Sequence, residues 1–307
     1  MQDQKTLRIG LFGVGIWGQK VLRDLVSLGA EVWIFEISEN NRKLSEELGA
    51  SRFSINWPET DLPDAWIVAT PAITHFVILK RLFLTKLPIF VEKPLTCNYQ
   101  EALELAKIAT APTFVMHNWR YHAGIRMLAG LAKSKELGDL VFFKSNRCNW
   151  TSPRSDVDSI WTLIPHDITI ALSILGEMPF PIAAQVEEYG GVGRGMTAFL
   201  GRNPACVLEV SNRYSDKRRE VRLHFTKGVA VLKNETVDFI EISHGDDKTT
   251  PAEMRIEQRK FEVIPPLYEE LRIFLEFLRG GPPPISDLIE GIEVIRVIDE
   301  LKKLAKA

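Results

Sequence analysis

The sequence predicts an α/β protein: an N-terminal domain with a parallel sheet, then an α+β domain with a mostly antiparallel, open sheet. Two observations predict it. Through residues 1–120, short apolar runs alternate with helical patterns. Beyond residue 120 the runs take on strand-period alternation, broken by Gly and Pro turns. The length of 307 residues leaves room for both cores, since domains commonly hold ~100–200 residues.

Residues 7–12 form the first expected strand. Val21, Leu22, Leu25, Val26 and Leu28 then recur at helical spacing. Residues 31–35 read as a second strand and 42–48 as a second helix. Residues 64–69, 87–91 and 113–116 continue the series, each apolar enough for burial on both faces. Strands of that kind separated by helices imply βαβ units. In the second half a helix is expected over 125–131. Val141, Phe143, Ser145 and Arg147 then alternate with their neighbours as a strand. A helix over 165–175, opening on Pro165 and closing at Gly176, follows. Further strands are expected over 184–189, 196–200, 207–212, 221–225 and 229–232. Helices over 267–278 and 286–304, split by Gly280-Gly281-Pro282-Pro283-Pro284, end the chain. The expected domains are 1–120 and 121–307, with the last helices free to return to the first.

The composition, 45% hydrophobic and 25% charged, is that of a globular protein. With 38 Lys and Arg against 40 Asp and Glu, the net charge of −2 gives no reason to expect nucleic acid or an anionic membrane as partner. The basic run Lys217-Arg218-Arg219, followed by Glu220, reads as a solvated turn. Neither a secretory signal nor a run of about 18 apolar residues is visible. Cys97, Cys148 and Cys206 are odd in number and widely spaced, which suggests incidental thiols in a reducing compartment. A cytoplasmic location is the expectation.

The first strand runs directly into Gly13-Val14-Gly15-Ile16-Trp17-Gly18 and then into a helix. This G-x-G-x-x-G serves a tight turn, close backbone approach to a pyrophosphate, and helix–strand packing. The following helix N-terminus offers N–H groups to phosphate. Glu36 closes the second strand. A carboxylate there accepts hydrogen bonds from ribose hydroxyls and repels a 2′-phosphate, so a Rossmann domain preferring NAD over NADP is expected.

Three further stretches each follow a strand: Ala69-Thr70-Pro71-Ala72-Ile73-Thr74-His75, Glu92-Lys93-Pro94 and Asn118-Trp119-Arg120-Tyr121. With the fingerprint, they resemble the glucose–fructose oxidoreductase / inositol dehydrogenase (Gfo/Idh/MocA) family over essentially the whole chain. The resemblance implies that the Gly13–Gly18 stretch holds the pyrophosphate and Glu36 the adenosine ribose. Thr70, Pro71 and His75 would lie along the cofactor, and Glu92 near the nicotinamide ribose. Lys93 resembles the family's catalytic-site lysine, whose ammonium can polarise the reacting hydroxyl. Asn118, Arg120, Tyr121, Trp161 and Thr162 would line the substrate side. His166 matches the family's histidine, a general base.

One departure stands out. The family places an Asp four residues before this His, where this chain has Thr162. Asp167, or an acid from the loop at 156–158, is the expected compensating charge and Asp167 a candidate catalytic group; otherwise activity is altered or absent. His117 and His122 lack a regular ligand spacing with His166, and no metal is expected. Arg120, Arg147 and Arg154 are candidate receptors for a substrate phosphate or carboxylate, or rim charges. The segment from Ile164 to Ile168, with Trp161 ahead of it, resembles the UDP-sugar 3-dehydrogenases. The expected function is hydride transfer between NAD and a hydroxyl of a sugar, nucleotide sugar or polyol. The alternatives are a catalytically silent NAD-binding relative, and an NAD-assisted glycoside-cleaving enzyme without net redox. A homodimer or homotetramer is expected through the open face of the second sheet.

Overall fold

A computed structural model describes residues 5–151 and 157–306. The chain divides into two units. In the first, β1 (Arg8–Phe12), β2 (Glu31–Phe35), β3 (Arg52–Ser54), β4 (Ala65–Val68), β5 (Ile89–Glu92) and β6 (Thr113–Met116) make a sheet in the order β3-β2-β1-β4-β5-β6. Every pairing is parallel. The strands are short apolar runs because helices cover both faces: α1 (Gly18–Ser27), α2 (Arg42–Glu47), α3 (His75–Leu82) and α4 (Tyr99–Ile108) supply the crossovers. Val21, Leu22 and Leu25 put one stripe of α1 fully into the core. Asn98 caps α4 by accepting from the backbone N–H of Gln100 at 2.8 Å, which contributes about 1 kcal/mol.

The second unit comprises Asn118–Ile264 and continues from Glu293. Here α5 (Ala123–Ser134) is followed by β7 (Leu140–Trp150) and α6 (Ser159–Leu175). Then come β8 (Pro181–Tyr189), β9 (Val192–Leu200), β10 (Ala205–Ser211), β11 (Arg213–Arg218), β12 (Val221–Phe225), β13 (Gly228–Leu232), β14 (Phe239–His244) and β15 (Arg255–Lys260). They form a sheet in the order β15-β14-β13-β12-β7-β10-β9-β8, with β11 beside β7. Only the β7–β10 pairing is parallel among the described residues. In β10, Cys206, Leu208 and Val210 are buried while Val207 and Glu209 are half-exposed. One face therefore lies under helix and the other is open.

The chain ends with α7 (Pro266–Leu278) and α8 (Leu288–Leu304). Pro265–Ile292 belongs to the first unit, the return to the first domain that the sequence left open for the last helices. Leu267, Leu271, Phe274 and Leu275 of α7 join the same core as β1, β2 and α1. Phe274 meets Phe90 of β5 at 4.9 Å and Phe114 of β6 at 6.3 Å. The N-terminal stretch of the first unit runs to His117.

Two expectations are corrected. The helix read from Pro165 begins at Ser159, capped by Asp158, so Pro165 and His166 lie in its interior. Burial of Ile160, Ile164, Ile168 and Ile174 offsets the lost proline N–H. The basic run is no turn: Lys217 and Arg218 belong to β11, and Arg219 donates to the Cys148 carbonyl at 2.9 Å. Among the described residues no helix is long and apolar enough to cross a membrane.

Candidate active site

In the first unit the expected cofactor residues gather at the carboxyl ends of the strands, where ligands of open α/β sheets bind. Gly13 has φ +86°, and a Cβ there would stand 2.9 Å from the Ala69 carbonyl oxygen. A Cβ on Gly18 would overlap the Gly13 carbonyl oxygen, so only glycine lets α1 start against the loop. Around Gly15 a Cβ meets nothing within 4 Å. That open backbone, ahead of a helix with no acidic residue in its first turn, fits a pyrophosphate.

Glu36 leans back onto the loop. Its Oε1 accepts from Val14 N–H at 2.7 Å and Asn41 Nδ2 at 3.1 Å, and its Oε2 from Ile37 N–H at 3.2 Å. A carboxylate has about four acceptor sites, so capacity remains for a ribose hydroxyl. Ile16 (86% exposed), Ile37 (97%) and Ile73 (59%) follow three neighbouring strands. These exposed side chains suit the faces of a nucleotide, and the chain's own residues therefore fit NAD. Sequence reasoning singled out neither Asn41 nor Ile37; the signal for Ile37 was a large apolar residue directly after the acid expected at the ribose.

Thr70 is half-exposed and Pro71 exposed. The His75 ring, expected along the cofactor, is only 1% exposed. Its Nδ1 faces the Pro94 carbonyl at 2.8 Å and its Nε2 the Thr70 carbonyl at 3.0 Å. His75 thus staples the loop after β4 to the loop after β5 that carries Lys93. Glu92 is buried at the end of β5 and Lys93 is half-exposed. A separate cleft of about 560 Å³ lies by Leu7, Asp64 and Pro88, which precede their strands. It sits at the edge opposite to the glycine loop.

In the second unit the helical phase of α6 sorts the candidates. Thr162 and His166 are four residues apart, hence on one face, and both are half-exposed. The Thr162 hydroxyl donates to the Ser159 carbonyl at 3.0 Å. Asp167, turned about 100° further round the helix, is 0% exposed. It accepts from Arg147 Nε at 2.6 Å and from the Ser145 hydroxyl. Both partners sit at inward positions of β7, which explains polar residues on that strand's buried face. The expected catalytic Asp167 is therefore sequestered, and Arg147 is held from any substrate phosphate. The Arg147 guanidinium also lies over the Trp119 ring at 4.3 Å, and Trp119 stacks on His122 at 5.1 Å.

The turn Asn118–Tyr121 is tied to α6 by Arg120 Nε, 3.2 Å from the Ser173 hydroxyl. Asn118 Oδ1 is buried and accepts no hydrogen bond among the described residues. Tyr121 is buried under Arg126, and Trp161 packs beside Lys302 with Nζ 5.3 Å from the ring. Asp158 caps α6 and pairs with Lys302 at 2.6 Å. Asp156 and Arg154 lie outside the described residues.

His117 Nδ1 meets Glu290 Oε1 at 3.0 Å. His122 Nδ1 accepts from Gly124 N–H at 3.1 Å, and burial holds its pKa below the ordinary imidazole value. Among the described residues no three His, Cys, Asp or Glu side chains form a metal-sized group. Cys148 and Cys206 are buried thiols, and burial pushes Cys148 up to about 12.

Residues 7–117 match the family model GFO_IDH_MocA, described as an oxidoreductase family with an NAD-binding Rossmann fold. A UDP-N-acetylglucosamine 3-dehydrogenase of Acidithiobacillus ferrooxidans is 23% identical over 98% of both chains. An inositol 2-dehydrogenase of Rhizobium meliloti is 23% identical, covering 80% of this chain and 81% of that one. Among solved structures, a levoglucosan dehydrogenase in complex with NADH and L-sorbose aligns over 99% of this chain and 97% of that one, at 16% identity and a TM-score of 0.86. The A. ferrooxidans enzyme aligns over 99% of both chains, at 22% identity and a TM-score of 0.80. The glycine loop, the Glu-Lys-Pro turn and the family match agree: residues 7–117 have the fold of, and match, the NAD-binding Rossmann domain of the Gfo/Idh/MocA oxidoreductase family.

Proposed function

We propose that the protein is an NAD-dependent dehydrogenase acting on a hydroxyl of a sugar, nucleotide sugar or polyol. The observation that carries this reading is the open backbone at Gly15, flanked by Glu36 at the end of the neighbouring strand. Bound NAD supplies the hydride acceptor. The first-turn N–H groups of α1 hold phosphate, and Glu36 accepts from the adenosine ribose, which favours NAD over NADP. The Lys93 ammonium polarises the reacting hydroxyl and stabilises the oxyanion that develops on it. His166 takes the hydroxyl proton. Asn118 Oδ1, buried with an unused lone pair, accepts from a substrate hydroxyl. Asp167 fixes the phase of α6 through Arg147 and touches no reacting atom. The full-length similarity to a UDP-N-acetylglucosamine 3-dehydrogenase makes UDP-sugars the first substrates to try. The open face of the second sheet, with Phe199 48% exposed, is the surface for self-association.

The test is the absorbance of reduced nicotinamide after mixing the protein with NAD and a panel of UDP-sugars, free sugars and polyols. A rise with one class, abolished in His166→Ala, supports the assignment; turnover unchanged in that variant removes His166 as the base. A second reading has its own observation. Thr162 brings no charge to the His166 face, and Asp167 is committed elsewhere. A silent NAD-binding relative would bind NAD and leave the whole panel unreacted.

A further inference from the structure

Helix α7 carries a carboxyl that none of these roles uses. Glu270 is 0% exposed, and neither of its oxygens has a hydrogen-bond partner among the described residues. The preceding Glu269 is buried too but pairs with Arg272 at 2.8 Å, so the two adjacent carboxyls differ in having a cation beside them. The packing tells what Glu270 faces. Phe274, one turn further along α7, meets Phe90 at 4.9 Å. Phe90 and Glu92 are two residues apart on β5 and point to the same side. Glu270 and Glu92 therefore occupy matching positions on the helix and on the strand it covers.

Burial first, and the Glu92 charge second, hold the Glu270 carboxyl well above the usual range. The other titratable groups on the packed elements do not offset this. Lys20, Arg23 and Asp24 belong to α1, Lys93 follows Glu92, and His117 beyond β6 pairs with Glu290. None of them acts on Glu270 as Glu92 does.

We propose that Glu270 and Glu92 share one proton in the ligand-free protein, carried by Glu270, and that a cationic nicotinamide ring arriving beside Glu92 draws this proton into solvent. The inference rests on the dinucleotide reading above. The Glu270 acid becomes a carboxylate, its proton goes to bulk water, and the second negative charge matches the positive ring. The reduced ring is neutral and leaves the proton in place. By linkage, the oxidised cofactor then binds more tightly as the pH rises. Glu270 acts through Glu92 and is a positioning residue.

Two measurements on the full chain test this. Infrared spectra of the ligand-free protein at neutral pH should contain the carbonyl stretch of a protonated carboxyl, absent from Glu270→Gln. Calorimetric titration of NAD in buffers of different ionisation enthalpy should show proton release, reduced by about half or more in Glu270→Gln. NADH should release none from either protein. A missing acid band, or one that persists in Glu270→Gln, overturns the shared proton. Equal release by both proteins overturns the coupling. If NAD binds neither protein while the band is present, the dinucleotide reading and the coupling fall and the proton assignment stands. Should Glu270→Gln misfold, Glu92→Gln reads the same pair: its band should fade at lower pH than in the parent, and an unchanged midpoint overturns the proposal.

Discussion

Replacing Arg147 with Met tests how the second unit fixes the phase of α6. Arg147 Nε lies 2.6 Å from Asp167 Oδ2, with side chains 5% and 0% exposed. Met keeps much of the volume and removes the charge, leaving Asp167 with the Ser145 hydroxyl alone. Removing one partner of a buried pair costs about 3–5 kcal/mol, most of it from the stranded charge. Loss of the cation above Trp119 adds about 0.5–2 kcal/mol, so an effect of roughly 4 kcal/mol or more is expected. Urea unfolding followed by tryptophan fluorescence reads it as a lower midpoint at unchanged slope. The two units are treated as separate transitions where the curve shows two. The double variant Arg147→Met/Asp167→Leu should recover a large part of the loss, because neither charge is then left unpaired. A single-variant loss below about 1 kcal/mol, or a double variant as unstable as the sum of the singles, would refute the reasoning.

The remaining predictions concern the first unit. Gly18→Ala should weaken NAD binding by about tenfold or more, equivalent to about 1.4 kcal/mol, because its Cβ overlaps the Gly13 carbonyl; calorimetry giving the parent affinity would count against the cradle. Glu36→Ser should raise the affinity for NADPH relative to NADH, and an unchanged ratio would remove Glu36 from the ribose. Glu270 bears on stability as well. Its pKa is raised by folding, so its stabilisation is complete below the ordinary value of 4.5 and is lost as the pH rises toward the folded value. The loss is about 1.4 kcal/mol per pH unit across that window. Glu270→Gln should flatten that part of the stability–pH curve, and parallel curves for the two proteins would contradict it.

The parallel sheet was legible because β1, β2, β4, β5 and β6 are continuous apolar runs, and the glycine loop because it follows one of them. β3 has only Phe53 to bury. β11 and β15 are charged strands, nearly exposed along their length. Hydropathy cannot find a strand whose ladder is supplied by neighbours, and charges on such strands discourage pairing with other chains. The start of α6 was misplaced because proline favours the first helical turn, while the buried isoleucines before it outweigh that preference. For the site, residue types were readable and helical phase was not. His166 and Asp167 are adjacent in sequence, yet one lies half-exposed and the other is locked under the sheet. Glu269 and Glu270 look alike as letters and both are buried, and only the fold shows that Glu269 meets Arg272 while Glu270 lies in line with Phe274 against β5.

The first unit is sewn from two distant stretches of chain, since Pro265–Ile292 completes what ends at His117. On the ribosome, the Rossmann sheet emerges long before α7, and its Phe90–Phe114 wall must wait for Phe274 through the synthesis of the entire second unit. Such long-range closure slows folding and leaves apolar surface open to other nascent chains. A fragment cut at residue 120 repeats that unfinished state permanently. Expressed alone, it should be recovered as aggregate, and a separately supplied segment carrying Leu267–Leu275 should restore solubility by filling the vacant wall.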